Sequence, residues 1–243
     1  MTKTAGIIII GDEILSGKVQ DANSFFLAKE LRSSGIDVRR ISVIPDDISE
    51  IAREVKEFSR QFNYVFTSGG IGPTHDDITI EGIAKAFDVN PVIDDHLREL
   101  VRKKFRDHLT PEVLKMAEVP EGAELIIDKT TFLPLIVFKN IYIFPGIPDL
   151  LRQKFLAIAK FFDEQPMLLK KVYIKEYEAV AAPLLNEVVR IFQDVKIGSY
   201  PVMDNKDYRV MITFESVDED RLSEAVKSFG NKLAQEKLFR IEG

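Results

Sequence analysis

The sequence predicts an α/β fold in which helices cover both faces of a mostly parallel sheet, followed by a small α+β domain. Short β-branched runs alternate with amphipathic helical runs over the first 165 residues, and loops rich in glycine or proline follow several of these runs. The order of the elements changes after residues 163–166, a polar stretch that ends in proline. The predicted domains are therefore residues 1–166 and 167–243.

Each element follows from the spacing of its apolar residues. Residues 5–10 form a continuous apolar run, which is typical of a strand buried on both faces. Asn23 is predicted to cap the next helix. The first domain continues with strand 38–44, helix 48–62, strand 64–68, helix 79–87, helices 94–108 and 111–118, a hairpin of strands 133–138 and 141–144, and helix 149–162. The second domain is predicted to contain strand 170–174, helix 179–192, strands 195–199 and 208–215, and helix 219–234.

Composition excludes several classes of function. The formal net charge is −6 and the pI is near 5.3, which argues against a nucleic-acid partner, because that requires a concentrated basic surface. The chain contains no cysteine, so disulfides, thiolate metal sites and cysteine nucleophiles are excluded. The apolar run near the start is too short for a signal-peptide core or a membrane span. We therefore expect a soluble, cytoplasmic protein with no membrane partner.

Three unusual loops follow the carboxyl ends of predicted strands, at residues 11–13, 45–47 and 69–77. In an open parallel sheet, ligands bind outside this edge. The third loop contains Gly69, Gly70 and Gly72, whose backbone amides we expect to bind a phosphate or pterin-like ligand, with the hydroxyl of Thr74 as a further donor. A tight turn without a ligand is the alternative. His75 lies in the same loop and is a candidate ligand contact.

Acidic residues are concentrated in the same three loops. Carboxylates beside a phosphate site repel the ligand unless a divalent cation lies between them, and Mg²⁺ or Mn²⁺ suits an all-oxygen site. For Asp47 and Asp76, helix capping is an equally good interpretation, and Thr79 is another candidate cap of the helix after the glycine loop. The six loop acids are Asp12, Glu13, Asp46, Asp47, Asp76 and Asp77.

Three other features of the sequence bear on this interpretation. The segment GDEILSGK at residues 11–18 has five residues between its glycines and Val19 at the Mg²⁺ position, so it does not match a P-loop. The three histidines lack the spacing of a zinc site. Tyr200, beside Gly198 in a predicted turn, is either a packing anchor of the second domain or an aromatic group that reaches the site of the first.

Several short motifs follow one another along the chain: GDEIL (11–15), PDD (45–47), SGGIGPTHDD (68–77), FPGIP (144–148) and GSYP (198–201). Together they resemble the MoaB/Mog molybdopterin-binding family, in the branch of CinA and of the amino-terminal domain of eukaryotic FAD synthase. The resemblance covers most of the chain, and residues after about 168 resemble the small KH-like domain of CinA. It implies a three-layer αβα MoaB-like domain, homo-oligomers and two aspartates that matter for catalysis, matching Asp46 and Asp77.

The family is associated with two related chemistries. MogA-type proteins adenylylate molybdopterin, whereas the CinA and FAD-synthase branch is associated with metal-dependent hydrolysis of nucleotides such as ADP-ribose and FAD. The deamidase domain of CinA and the catalytic domain of FAD synthase have no counterpart in these 243 residues. We therefore expect neither deamidation nor FAD synthesis from this chain.

The leading hypothesis is therefore a nucleotide pyrophosphatase that uses Mg, Mn or Co and releases AMP. The alternatives are molybdopterin binding with or without adenylylation, and a non-catalytic nucleotide-binding module. Asp46 and Asp77 are the predicted catalytic residues, and Asp12, Glu13, Asp46 and Asp77 the predicted metal ligands. The predicted ligand-binding residues are Gly11, Gly69, Gly70, Gly72, Pro73, Thr74, His75, Pro145, Gly146 and Tyr200.

Overall fold

A computed structural model describes residues 2–127, 131–162 and 164–243. The chain divides into two compact units, an N-terminal unit of residues 1–164 and a C-terminal unit of residues 165–243. Over the described residues, no helix is both long enough and apolar enough to cross a lipid bilayer.

The N-terminal unit is built on a six-stranded sheet in the order β2-β1-β3-β8-β7-β6. The pairs β1/β2, β1/β3 and β3/β8 are parallel, whereas β7 pairs antiparallel with both β8 and β6. A two-stranded antiparallel ribbon of β4 and β5 lies outside this sheet. The strands are β1 (Thr4–Ile10), β2 (Asp37–Ile44), β3 (Tyr64–Ser68), β4 (Pro91–Ile93), β5 (Glu118–Pro120), β6 (Glu124–Ile126), β7 (Leu135–Phe138) and β8 (Ile141–Phe144).

Helices cover both faces of this sheet, as predicted. Alternate residues of β1 enter different cores: Ile8 belongs to a buried cluster that includes residues of α3, α4 and α5, while Ile7 belongs to one that includes residues of α2 and α7. Both isoleucines are fully buried, which explains the continuous apolar run in this strand. The helices are α1 (Asp12–Leu15), α2 (Asn23–Ser33), α3 (Ile48–Gln61), α4 (Thr79–Phe87), α5 (Asp95–Phe105), α6 (Pro111–Lys115) and α7 (Pro148–Ile158).

The structure corrects some predicted boundaries. The hairpin of β7 and β8 is confirmed, but the helix predicted over 111–118 ends at Lys115, and Glu118–Pro120 is a strand. Strands β4, β5 and β6 were not predicted. Each has only three residues, which is too short for an alternating pattern to be recognised.

The C-terminal unit contains an antiparallel sheet in the order β10-β11-β9-β12, with its own hydrophobic core under two helices. The predicted strand-helix-strand-strand-helix order is confirmed. A final strand, β12, was missed and adds to the sheet beside β9. The elements are β9 (Leu168–Ile174), α8 (Glu178–Ile191), β10 (Lys196–Pro201), β11 (Val210–Ser216), α9 (Glu219–Lys232) and β12 (Leu238–Glu242).

Candidate active site

Four parallel strands bring their carboxyl ends to one edge of the N-terminal sheet. The loops after β1, β2 and β3 therefore lie together, as the sequence predicts, and the loop after β8 joins them. Backbone hydrogen bonds connect neighbouring strand ends: the N–H of Gly11 donates to the Ile44 carbonyl at 3.1 Å, and that of Gly69 donates to the Phe144 carbonyl at 3.2 Å.

These loops line a cavity of about 690 Å³. This volume falls within the range of about 300–1,000 Å³ that is usual for small-molecule sites. The cavity brings together most of the residues that were predicted as ligand contacts or metal ligands. From that set it is lined by Gly11, Glu13, Asp46, Gly69, Gly70, Gly72, Pro73, Asp77, Pro145 and Gly146.

The glycine loop has a backbone that only glycine adopts readily. Gly69 and Gly70 have φ values of +112° and +64°. A Cβ at Gly69 would overlap the carbonyl oxygen of Ile10, and a Cβ at Gly70 would overlap the hydroxyl of Thr79. Thr79 is fully buried and its hydroxyl donates to the Gly69 carbonyl at 2.9 Å. Thr79 therefore fixes the loop from within the first turn of α4.

Helix α4 is not capped as predicted. Residue 78 precedes it without a side-chain cap, so neither Asp76 nor Thr79 has that role. The Thr79 hydroxyl is occupied by the loop carbonyl, which explains the difference. Asp47, by contrast, caps α3, where its carboxylate accepts hydrogen bonds from the N–H groups of Ser49 and Glu50. The capping interpretation of Asp47 is confirmed.

Several backbone amides of the glycine loop are available to a ligand. In the part of the chain that the structure describes, the N–H groups of Gly70, Ile71 and Gly72 donate no hydrogen bond within the protein, whereas the Gly69 N–H is used by Phe144. Successive free amides beside a cavity form an anion-binding concavity. The amides that remain free to bind an anion are therefore those of Gly70, Ile71 and Gly72, and the predicted contribution of the Gly69 amide is not available.

Asp77 shapes the end of this loop. Its Oδ2 accepts hydrogen bonds from the Thr74 N–H at 2.8 Å and from the Thr74 hydroxyl at 2.5 Å. A Cβ at Gly72 would lie 2.6 Å from the same carboxylate oxygen, so a side chain at this position would displace the Asp77 carboxylate. The Asp77 side chain thus closes the turn and also lines the cavity.

Asp46 is surrounded by other carboxylates. Burial is the main cause that raises the pKa of Asp46, and the negative charges of Asp12, Glu13 and Asp76 raise it further. The N–H of Asp12 donates to Asp46 Oδ2 at 2.9 Å, and this hydrogen bond lowers the pKa. The charges lie close enough to repel one another, and a bound cation would relieve that repulsion.

The carboxylates suit an open cation site. Over residues 2–127, 131–162 and 164–243, no three His, Asp or Glu side chains lie close enough together to coordinate a metal ion by themselves. Carboxylate oxygens are nevertheless the donors that Mg²⁺ and Mn²⁺ prefer, and Mg²⁺ is usually held by one or two carboxylates together with phosphate oxygens of the substrate. Asp46 and Asp77 fit that requirement, since both line the cavity with the glycine loop.

Asp46→Asn is expected to raise the melting temperature of the metal-free protein at pH 7.5 by about 1–2 °C. Folding raises the Asp46 pKa, so the ionised side chain disfavours the folded state. The Asn oxygen can still accept the Asp12 N–H. The difference from the parent chain should narrow as the pH falls toward about 4, where Asp46 becomes protonated in both states. Calorimetry in a chelator at several pH values measures this.

Asp47→Asn is the matched control. The N–H groups of Glu50 and Ser49 lower the pKa of Asp47, so its charge stabilises the folded state and its removal should lower the melting temperature. A shift of the same sign in both variants would contradict the electrostatic account of Asp46.

Asn23 connects two of the site loops. Its side-chain amide donates to the Ser68 hydroxyl at 3.0 Å and to the Gly146 carbonyl at 2.7 Å. The predicted capping role of Asn23 is wrong, because it is the first residue of α2 and the Asp21 carboxylate accepts the N–H groups at this end. The buried Asn23 side chain instead holds the loop after β8 against the end of β3.

The rest of the described lining consists of a largely apolar wall, two lysines and the acids Asp76 and Glu118. Sequence reasoning missed most of this wall because, apart from Ile71 of the glycine loop, its residues come from α5, the end of α6, α7 and the segment before β7. The two lysines are Lys115 and Lys154. Six of the apolar residues are Ile71, Leu97, Met116, Phe132, Leu133 and Leu150.

Four predicted site residues do not line the cavity. Asp12 and Thr74 lie directly behind it, where they contact Asp46 and Asp77 respectively. The His75 side chain is 98% exposed, beside Asp76. Tyr200 lies on β10 of the C-terminal unit and is half exposed. Ligand contact by His75 and Tyr200 stays a prediction.

Comparisons with known proteins match this architecture. A family described as "Probable molybdopterin binding domain" matches residues 6–169, and one described as "FAD synthase, middle domain" matches residues 166–242. The chain is 36% identical over 223 residues to a protein of Archaeoglobus fulgidus, with 92% of this chain and 95% of that protein covered.

Two further relatives carry more informative names. A probable FAD synthase of Caenorhabditis elegans is 34% identical over 260 residues, which cover 96% of this chain and 50% of that protein. The chain thus spans half the length of this relative. The crystal structure of the protein CinA of Thermoplasma acidophilum, described as of unknown function, is 33% identical with a TM-score of 0.62, and the match covers 66% of this chain and 98% of that one.

The match over residues 6–169 takes in more than half of the chain, including every residue of the cavity. The chain therefore belongs to the MoaB/Mog-like family of probable molybdopterin binding domains, together with CinA-like proteins and the corresponding part of FAD synthases.

Proposed function

We propose that the N-terminal unit hydrolyses the pyrophosphate bond of an adenine nucleotide, FAD or ADP-ribose, with the help of a divalent metal ion. The observation that carries this proposal is one cavity that combines free loop amides with the Asp46 and Asp77 carboxylates. Amides bind phosphate oxygens, and carboxylates beside a phosphate require a cation. The similarity to a probable FAD synthase supports a nucleotide as the ligand class.

The residues have distinct roles in this proposal. The amides of Gly70, Ile71 and Gly72 bind the pyrophosphate oxygens, and Asp46 and Asp77 hold the metal or orient the attacking water. A bound divalent ion supplies polarisation of the phosphoryl group and activation of water. The water oxygen forms a bond to one phosphorus while the bridging P–O bond breaks. The products are AMP and either FMN or ribose 5-phosphate.

Molybdopterin binding, with or without adenylylation, is the second candidate. The family description supports it, and so does the apolar part of the cavity, where Met116, Phe132 and Leu150 offer a surface for a flat heterocycle. Adenylylation needs a pterin acceptor, whereas hydrolysis needs only water. The products therefore distinguish the two reactions.

Incubation of the pure protein with FAD, and separately with ADP-ribose, in Mg²⁺, Mn²⁺ or Co²⁺ is expected to release AMP. Chromatography should also show FMN or ribose 5-phosphate in equal amount, and a chelator should abolish the reaction, because the carboxylates then lack their cation. Absence of AMP from both compounds with folded protein and metal would overturn the proposal. Tight nucleotide binding without turnover would indicate a non-catalytic module.

A further inference from the structure

The two lysines of the cavity have different surroundings. Lys154 is only 6% exposed, and its ammonium donates to the carbonyl oxygens of Leu133 and Pro134, the latter at 2.9 Å. Those bonds tie Lys154 to the segment before β7. Lys115 is the last residue of α6 and stays partly accessible, with its Nζ 3.0 Å from Glu81 Oε1. Its ammonium is therefore the better placed of the two to meet a ligand.

Acidic residues lie around Lys115. Its Nζ pairs with Glu81. Burial and the charge of Glu81 raise the pKa of Glu118, and the charge of Lys115 opposes them. Asp76, Glu118 and Lys115 all line the cavity, so the ammonium lies among its acids.

A phosphate ligand needs such a cation. Among the described residues, five acids and two lysines line the cavity, and one of these lysines is held by backbone carbonyls. An entering pyrophosphate therefore meets net negative charge. Lysine binds phosphate as a point charge. The ammonium of Lys115 is partly accessible in the cavity, so it can meet such a ligand.

Glu81 links Lys115 to the glycine loop. Thr79 and Glu81 both lie in the first turn of α4. The Thr79 hydroxyl donates to the Gly69 carbonyl. Glu81 Oε1 pairs with Lys115, and Glu81 Oε2 is buried without a hydrogen-bond partner among the described residues. One helical turn thus positions the loop and the ammonium relative to each other.

We propose that Lys115 binds a phosphoryl oxygen of the substrate, and that Glu81 is the residue that positions it. This inference rests on the proposed function. The ammonium exchanges part of its contact with Glu81 for the phosphate and stabilises the charge that develops on the phosphoryl oxygens as the bridging bond breaks.

Lys115→Met is expected to lower kcat/KM for AMP release from FAD or ADP-ribose by about 100-fold, and Lys115→Arg should recover part of this loss. Inorganic pyrophosphate, measured by calorimetric titration with Mg²⁺, should bind about 10-fold more weakly to Lys115→Met. Lys103→Met, on the exposed face of α5, is the matched control and should behave like the parent chain.

The role of Glu81 is tested by a double-mutant cycle. Glu81→Gln should lower kcat/KM by about 3- to 10-fold in the parent chain and have no effect in the Lys115→Met background, because Glu81 acts through Lys115. Additive losses would show that Glu81 acts on its own. The double variant also removes both charges of the ion pair, so it replaces Lys115→Met if the single variant fails to fold.

The outcomes separate this inference from the proposed function. Normal kcat/KM and normal pyrophosphate binding in Lys115→Met would overturn the role of Lys115 while hydrolysis stands. If the parent chain hydrolyses neither FAD nor ADP-ribose, the proposed function fails, and pyrophosphate binding alone decides on Lys115. Weaker binding in Lys115→Met would then support its role. Equal binding, or no binding to the parent chain, would overturn it.

Discussion

Asp77→Asn is expected to lower kcat/KM for AMP release by about 100- to 1,000-fold, the loss typical of removing one preorganised electrostatic group from an active site. The substitution removes the negative charge but keeps the shape of the loop. The Asn oxygen can still accept the hydrogen bonds that Asp77 Oδ2 accepts from the N–H and hydroxyl of Thr74. A loss of turnover would therefore report on the charge rather than on the fold.

Steady-state kinetics with FAD and ADP-ribose, together with circular dichroism, measure this effect. Asp107→Asn is the matched control, because Asp107 is an exposed acid in the short turn after α5 and does not line the cavity. It should retain the parent activity. Full turnover by a folded Asp77→Asn protein would show that Asp77 is not a catalytic residue.

Gly69→Ala is expected to lower the free energy of unfolding of the N-terminal unit by about 2–4 kcal/mol and to abolish turnover. A positive φ costs a non-glycine residue about 1–2 kcal/mol. In addition, the new methyl group would overlap the Ile10 carbonyl, so the ends of β1 and β3 must separate. Urea denaturation followed by a probe in the N-terminal unit measures the loss.

Gly122→Ala separates these two causes. Gly122 also has a positive φ, +85°, but no described atom lies within 4 Å of the position of its Cβ. This control should lose only about 1 kcal/mol and keep its activity. Equal losses at both positions would mean that the contact with Ile10 contributes nothing.

The sequence predicts those parts of the fold and the site that depend on local pattern. The apolar run of β1 reflects burial on two faces, and the loops after parallel strands must share an edge of the sheet. The glycine loop is recognisable because positive φ values restrict the residue type. These features involve residues that are near each other in the chain or related by a simple rule of topology.

The missed residues depend on distant contacts. Asn23 is 45 residues from Ser68 and 123 residues from Gly146, and its single-residue pattern is equally typical of a helix cap. Lys115 ends a short helix, where a lysine ordinarily faces solvent. Its pairing with Glu81 follows from how α6 packs near α4, which periodicity alone does not specify.

The collision that Gly69 avoids has a consequence for comparing relatives. The atom in the way is the Ile10 carbonyl, part of the protein's own backbone, so this glycine is required whether or not anything binds. A descendant that had lost its chemistry would still retain it. Gly69 is thus a marker of ancestry, whereas under the proposed function Asp77 and Lys115 are the positions at which an active lineage and a degenerate one would diverge.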